Sequence, residues 1–148
     1  MSFWQALRIG ASGLTAQRLR LDLISNNIAN AQTTRTENGE AYQRQDVIFM
    51  PEGGNSSVPA KVAARRSELG LEQGGVRAVQ ITNDTEAGPR VYDPTHPDAD
   101  ADGYVNYPNV DVVVEMTNML SATRSYEANL ASIEAVKRMA LKALEIGK

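Results

Sequence analysis

The residues best placed to do chemistry lie in "HPDADADGY", 96–104. Asp98, Asp100 and Asp102 alternate, Gly103 follows, and His96, the only histidine of the chain, stands just upstream. Alternating carboxylates before a glycine form the first half of a calcium loop, which a bidentate glutamate completes at its twelfth position. Counted from Asp98, that position is Asn109, which cannot supply the carboxylate. Such a loop also follows a helix, and "YDPTHP" puts two prolines there. One histidine among flexible aspartates is a poor site for a transition metal. Turn chemistry remains: Asp and Gly favour Asx-turns and positive φ. Pro94, Pro97 and Pro108 keep the segment extended, and Asn109 or Asp111 can cap a following helix. No metal and no cofactor is expected.

Other reactive groupings are absent from the sequence. There is no cysteine, so no disulfide, thiolate ligand or thiol nucleophile. No nucleophile elbow, P-loop or dinucleotide fingerprint occurs. Acidic residues abound, but nothing singles out a pair for glycan hydrolysis. The chain does not read as an enzyme. Lys and Arg form no cluster suited to nucleic acid.

The elements that flank this turn are helices. Leu7, Leu14, Leu21 and Ile28 recur every seventh residue, with Phe3, Ala11 and Ile24 on or beside the stripe. They predict a helix over 3–28, roughly 39 Å long, with Ser2 as its N-cap. Gly10 and Gly13 weaken it by about 1 kcal/mol each relative to Ala, and leave flat ground for a neighbouring backbone. Near the other end, no Gly or Pro lies between Val110 and Ile146. Met116, Met119, Thr123, Tyr126, Leu130, Ile133, Lys137, Ala140 and Leu144 alternate by fours and threes. Val113, Leu120, Val136, Met139 and Ala143 add a second edge. A helix of about 36 residues, roughly 55 Å, follows, with the character of a coiled coil.

Between them the pattern shortens to a period of two. "AYQRQDVIFM" (41–50), "GVRAVQIT" (75–82), "RVYD" and "GYVNY" are strand candidates, and "PEGGNSSVP" (51–59) is a loop by composition. All six prolines lie in this region. The fold class is therefore mainly α: long N- and C-terminal helices packed as a coiled-coil-like pair, with a small, irregular β-rich insert. The divisions are 1–35, 36–109 and 110–148, with net charges of +3, −6 and zero. A fold for 51–90 does not emerge. No apolar run of about 18 residues could span a membrane. "MSFWQALRIGASGL" lacks a basic region before an unbroken apolar core, so no cleavable secretory signal is read there.

Two motifs carry a resemblance. "ASGLTAQRLRLDLISNNIANAQTTRT" (11–36) resembles the N-terminal signature of bacterial flagellar rod and hook proteins, a Leu-rich helix ending in an Asn-Asn-x-Ala-Asn block. "EMTNM", "RSYEAN" and "ALEIG" resemble parts of their C-terminal helix. The family's usual Thr-x-Gly-aromatic run is replaced by "TTRTENGEAYQRQ", which with the short length and "VYDPTHPDADADGYVNYPNVD" is similar to the proximal-rod members. The resemblance implies a structural subunit of the drive shaft in the periplasm, exported by the flagellar type III apparatus. It implies as partners other copies and other rod proteins, joined through the terminal helices. A soluble coiled-coil adaptor or export chaperone is the alternative. It would be acidic and helical throughout, and the β-rich insert and Asn block speak against it.

Subunit contacts are expected at Leu7, Leu14, Leu21, Ile24 and Ile28 of the first helix, and at Met116, Met119, Tyr126, Leu130, Ile133 and Leu144 of the last. Asn26, Asn27 and Asn30 have two readings: a helix terminus, since Asn tolerates the left-handed conformation, or amides buried between subunits that fix register. Arg8, Arg18 and Arg20 fall on the polar side of the first helix, on a solvated face or against an acidic partner. If the aspartates serve the turn alone, changing Asp98, Asp100 and Asp102 together to Asn leaves assembly as insensitive to calcium chelation as before. Swimming assays with and without chelator test this, and a chelator effect confined to the parent chain would restore the calcium reading.

Overall fold

In the computed structural model, residues 3–52 and 74–146 are described. The Ser2 cap and most of the 51–59 loop lie outside them. The described elements run α1 (Phe3–Ala29), β1 (Gln45–Pro51), β2 (Val76–Asn83), β3 (Arg90–Tyr92), β4 (Tyr104–Asn106) and α2 (Val112–Ile146). Two terminal helices packed together with a small β insert between them are the fold that the heptads require. Asp111 caps α2: its Oδ1 accepts the amides of Val113 at 2.8 Å and Val114 at 3.3 Å.

The chain packs as two units, and both helices contribute to each. The first comprises residues 1–18, 49–79 and 124–148. Here α1 and α2 pair antiparallel, with the glycines of α1 against larger residues of α2. A Cβ on Gly10 would lie 2.6 Å from Ile133 Cγ1, and one on Gly13 2.9 Å from Asn129 Nδ2. The flat ground of the glycines is taken by the chain's own second helix. Ser12 ties the insert to α1, because its Oγ donates to the Ile9 carbonyl at 2.7 Å and accepts the Val76 amide at 3.1 Å. Beside it, Glu52 N–H donates to Gly75 O at 2.8 Å.

The second unit comprises residues 19–48 and 80–123. Leu23, Ile24, Val47, Val105 and Ala122 are its buried apolar residues. Strands β3 and β4 pair antiparallel, Arg90 with Asn106, Val91 with Val105 and Tyr92 with Tyr104. Strands β1 and β2 form a separate two-stranded sheet.

The α2 face turned inward takes up part of the 4-3 series and leaves the rest of it exposed. Met119, Tyr126, Ile133 and Ala140 are half-buried as that series requires, but Glu115 and Ala122 are the fully buried positions. Met116, Leu130 and Leu144 are exposed, at 60%, 41% and 70%. The reason is local: in the first unit Gly10 admits the close approach of Ile133, and in the second Glu115 is held inside by Arg44, Asn27 and Asn118. Gly10→Leu should therefore cost about 1–3 kcal/mol by overpacking Ile133, outweighing the roughly 1 kcal/mol of helix propensity gained. Urea unfolding of the purified chain measures it, and a stabilised variant would contradict the seam.

Candidate functional site

Sequence spacing made Asn27 a candidate, and it is fully buried. Its Nδ2 donates to Gln45 O at 2.8 Å and to Glu115 Oε2 at 3.2 Å. Its Oδ1 accepts from Gln45 N at 2.9 Å and from Tyr42 Oη at 2.9 Å. An Asn side chain has two donors and two acceptor positions, and all four are used within the second unit. The amide reads the backbone of Gln45 as a β-strand neighbour would, so it fastens the end of α1 to the start of β1.

Glu115 completes the cluster from the first turn of α2, 1% exposed. Arg44 grips its Oε1 through Nε and Nη2, both at 2.9 Å, and Asn118 Nδ2 donates to the same oxygen at 3.3 Å. A buried carboxylate is costly unless paired and hydrogen-bonded, and here both oxygens are served. Burial works against the Arg44 charge, but its hydrogen bond to Glu115 and the charges of Glu115 and Asp46 outweigh that, raising its pKa. Burial, with the Glu115 charge added, also raises the Tyr42 phenol. A raised phenol contributes stability that is full below its unfolded pKa near 10 and is lost as pH rises through the folded value. The cluster offers no nucleophile beside a base; its chemistry is to hold three segments together.

Asn26 and Asn30 bond to each other at the end of α1, but not through the left-handed cap expected, since no described non-glycine residue takes a positive φ. Asn30 N–H donates to Asn26 O at 3.1 Å, and Asn30 Nδ2 reaches both Asn26 O and Asn26 Oδ1 at 2.9 Å. Of the other candidate contact residues, Ile24 is buried, and Leu7, Leu14, Leu21 and Ile28 are half-buried.

The acidic turn is spent on itself and its neighbours. Asp98 accepts Thr34 Oγ1 at 2.8 Å and pairs with Arg35 at 3.7 Å. Asp100 Oδ1 accepts the amides of Asp102 and Tyr104, both at 2.9 Å, and Asp100 also pairs with Arg90. The Tyr104 amide first, and Arg90 after it, hold the Asp100 carboxyl below its usual range. That contribution is present above the ordinary carboxylate pKa and is lost as pH falls through the depressed value. Gly103 takes φ +81°. Asp98 and Asp100 thus serve different partners, and Asp102 enters through its backbone amide.

Sequence reasoning missed Glu115, Arg44 and Tyr42 as members of the cluster. The one available signal was a single carboxylate inside the apolar run "VVVEM".

A helix pair closed by a saturated polar cluster, with large apolar residues still in solvent, has the make of a subunit for a larger assembly. Comparison with known proteins specifies which. Residues 7–35 match the family described as flagella basal body rod protein, and residues 101–146 match the flagellar basal body rod FlgEFG protein C-terminal family. The flagellar basal-body rod protein FlgC of Bacillus subtilis is 45% identical, covering 100% of both chains. Those of Borreliella burgdorferi, at 43% over 99% of this chain and 98% of the relative, and of Salmonella typhimurium, at 36% over 100% of both, are similar along the same span. The chain belongs to the flagellar basal-body rod protein family that these FlgC relatives represent. It is a structural subunit of the rod.

Asn27→Ala leaves the Gln45 backbone and one side of Glu115 unserved, at roughly 1–3 kcal/mol for each stranded group. Asn27→Asp keeps the shape but turns an acceptor toward Gln45 O and the Glu115 carboxylate, so it should destabilise more than Ala. Chemical denaturation of the variants tests the order, and Asp at least as stable as Ala would contradict the cluster as described.

Proposed function

We propose that the chain polymerises helically into the proximal part of the rod through the exposed faces of α1 and α2, in the periplasm. We further propose that it reaches that site through the flagellar type III apparatus. The division into 1–35, 36–109 and 110–148 then separates two assembly helices from an insert that sets spacing. Family membership supports the rod itself. The observation that supports the helical seam is the row of large apolar residues left in solvent on α2. In the second unit these are Val113, Met116 and Leu120, at 73%, 60% and 53% exposure. In the first they are Leu130, Leu141 and Leu144, at 41%, 53% and 70%.

A seven-residue spacing relates most of these positions, so they fall on one helix face. At about 25 cal/mol per Å² of apolar surface covered, such a face gains little from one neighbour but much when the contact repeats along a shaft. Among the described residues no helix is long and apolar enough to cross a membrane. Of the expected contact residues, Met116, Leu130 and Leu144 are open to a neighbour, whereas Met119, Tyr126 and Ile133 are partly covered by their own chain. Asn27 is committed inside the subunit, so a contact role there acts through the shape it holds. The adaptor or chaperone alternative is not favoured, since the relatives are rod proteins.

The exposed positions separate assembly from folding. Leu141→Asp with Leu144→Asp should leave the isolated chain's stability within about 0.5 kcal/mol and its export unchanged, yet stop rod completion and swimming. Secretion blots and motility plates measure this, and a double variant that swims normally would remove α2 from the seam. Ile133→Asp is the contrasting case: it lies over Gly10 and should weaken the subunit itself.

A further inference from the structure

The first unit carries two exposed stripes of opposite charge. On α1, Arg8 and Arg18 are exposed with the small residues Ala11 and Thr15 between them. On α2, Glu127 and Glu134 are exposed with Leu130 between them. Among the described residues none of these four charged side chains has an ion-pair or hydrogen-bond partner. One stripe is basic with a shallow middle; the other is acidic with a bulky one.

We propose, resting on the rod reading above, that the Arg8–Arg18 stripe of one copy seats the Glu127–Glu134 stripe of the next. The dimensions agree. Ten residues separate the arginines and seven the glutamates, so the spans along the axis are about 15 Å and 10 Å. Long arginine side chains close the difference of a few ångströms. The direction also agrees. Gly10 faces Ile133 and Gly13 faces Asn129 within the chain, so the helices run antiparallel. In a polymer whose copies all point the same way, α1 of one copy meets α2 of the next in that same sense. Arg8 then lies by Glu134, Arg18 by Glu127, and Leu130 enters the shallow stretch at Ala11 and Thr15.

The stripes are different surfaces of one unit. A copy that uses one with its first neighbour still offers the other to a second, and a head-to-tail contact that does not close builds an open polymer. Charge sets which partner and which register, while Leu130 supplies apolar burial. Polymers of this kind weaken with salt, because the pairs lie at the rim of the contact.

The absence of cysteine from the chain permits a direct test. Ala11→Cys with Leu130→Cys, expressed in place of the parent chain and oxidised in purified basal bodies, should give a ladder of covalent multimers of this chain. Neither single variant should give one. A double variant that builds rods without a ladder, or that links only to a different rod protein, overturns the proposal. Charge exchange gives a second reading: Arg8→Glu with Arg18→Glu should abolish swimming, as should Glu127→Arg with Glu134→Arg, and the four together should restore it. Normal swimming of either pair, or no restoration by the four, also overturns it. Recovery of the parent chain from basal bodies tests the rod reading separately; its absence there would defeat that reading, whatever the variants do.

Discussion

Burying Glu115 is the constraint on which the second unit depends. A carboxylate at 1% exposure cannot be left charged and unserved in a protein interior, where the penalty is several kcal/mol. It is served only if Arg44, Asn27 and Asn118 all arrive. Arg44 comes from the approach to β1, Asn27 from the last turns of α1, and Asn118 from one turn along α2. An apolar cluster of equal volume would tolerate sliding, because a displaced methyl group finds another methyl group. A saturated polar cluster does not, since a shift of one residue strands several donors and acceptors at once. The end of α1, the start of β1 and the start of α2 are therefore held in one register. A shaft subunit needs such a joint more than it needs a deep core.

The apolar inventory supports this reading. Among the described residues the buried apolar ones are few and mostly small or medium: Ala16, Leu23, Ile24, Val47, Val105 and Ala122. Many larger ones, including Trp4 at 76%, Val113 at 73% and Leu144 at 70%, remain in solvent. A single copy thus gains limited hydrophobic stabilisation against its conformational entropy. Neighbours that cover the exposed residues add to stability by mass action, so folding and assembly are thermodynamically coupled.

The elements were largely legible in the sequence because each follows a local rule. Heptad recurrence gave both helices, with α1 one residue longer than the period suggested and α2 starting at its Asp111 cap. Alternation and turn residues gave the four short strands, and the Asx chemistry of 93–103 follows from Asp and Gly themselves. The polar cluster was not legible as a whole. Asn27 and Glu115 are 88 positions apart, and no local pattern pairs a helix-end amide with a carboxylate in an apolar run. The inward face of α2 was not legible position by position for a related reason. Periodicity groups residues on a stripe, but the approach of Gly10 to Ile133 decides which of them the chain's own α1 covers and which stay exposed, as Met116, Leu130 and Leu144 do.

A polymerising helix must divide its surface between two kinds of contact. On the proposed seam, α2 faces its own α1 on one side and a neighbouring copy on the other, and the two demands differ. The inner contact is made once, during folding, and gains from close approach, so Gly10 and Gly13 meet Ile133 and Asn129. The outer contact must wait until the subunit has arrived, so it cannot be so apolar that copies aggregate on the way. Glu127, Glu134 and Lys137 interrupt the outer face where an unbroken Leu stripe would be adhesive. Charge there lowers unspecific attraction and, where a complementary stripe exists, restores affinity for one orientation only. On that proposal, the departures of α2 from a uniform coiled-coil repeat are the positions that would make the seam selective.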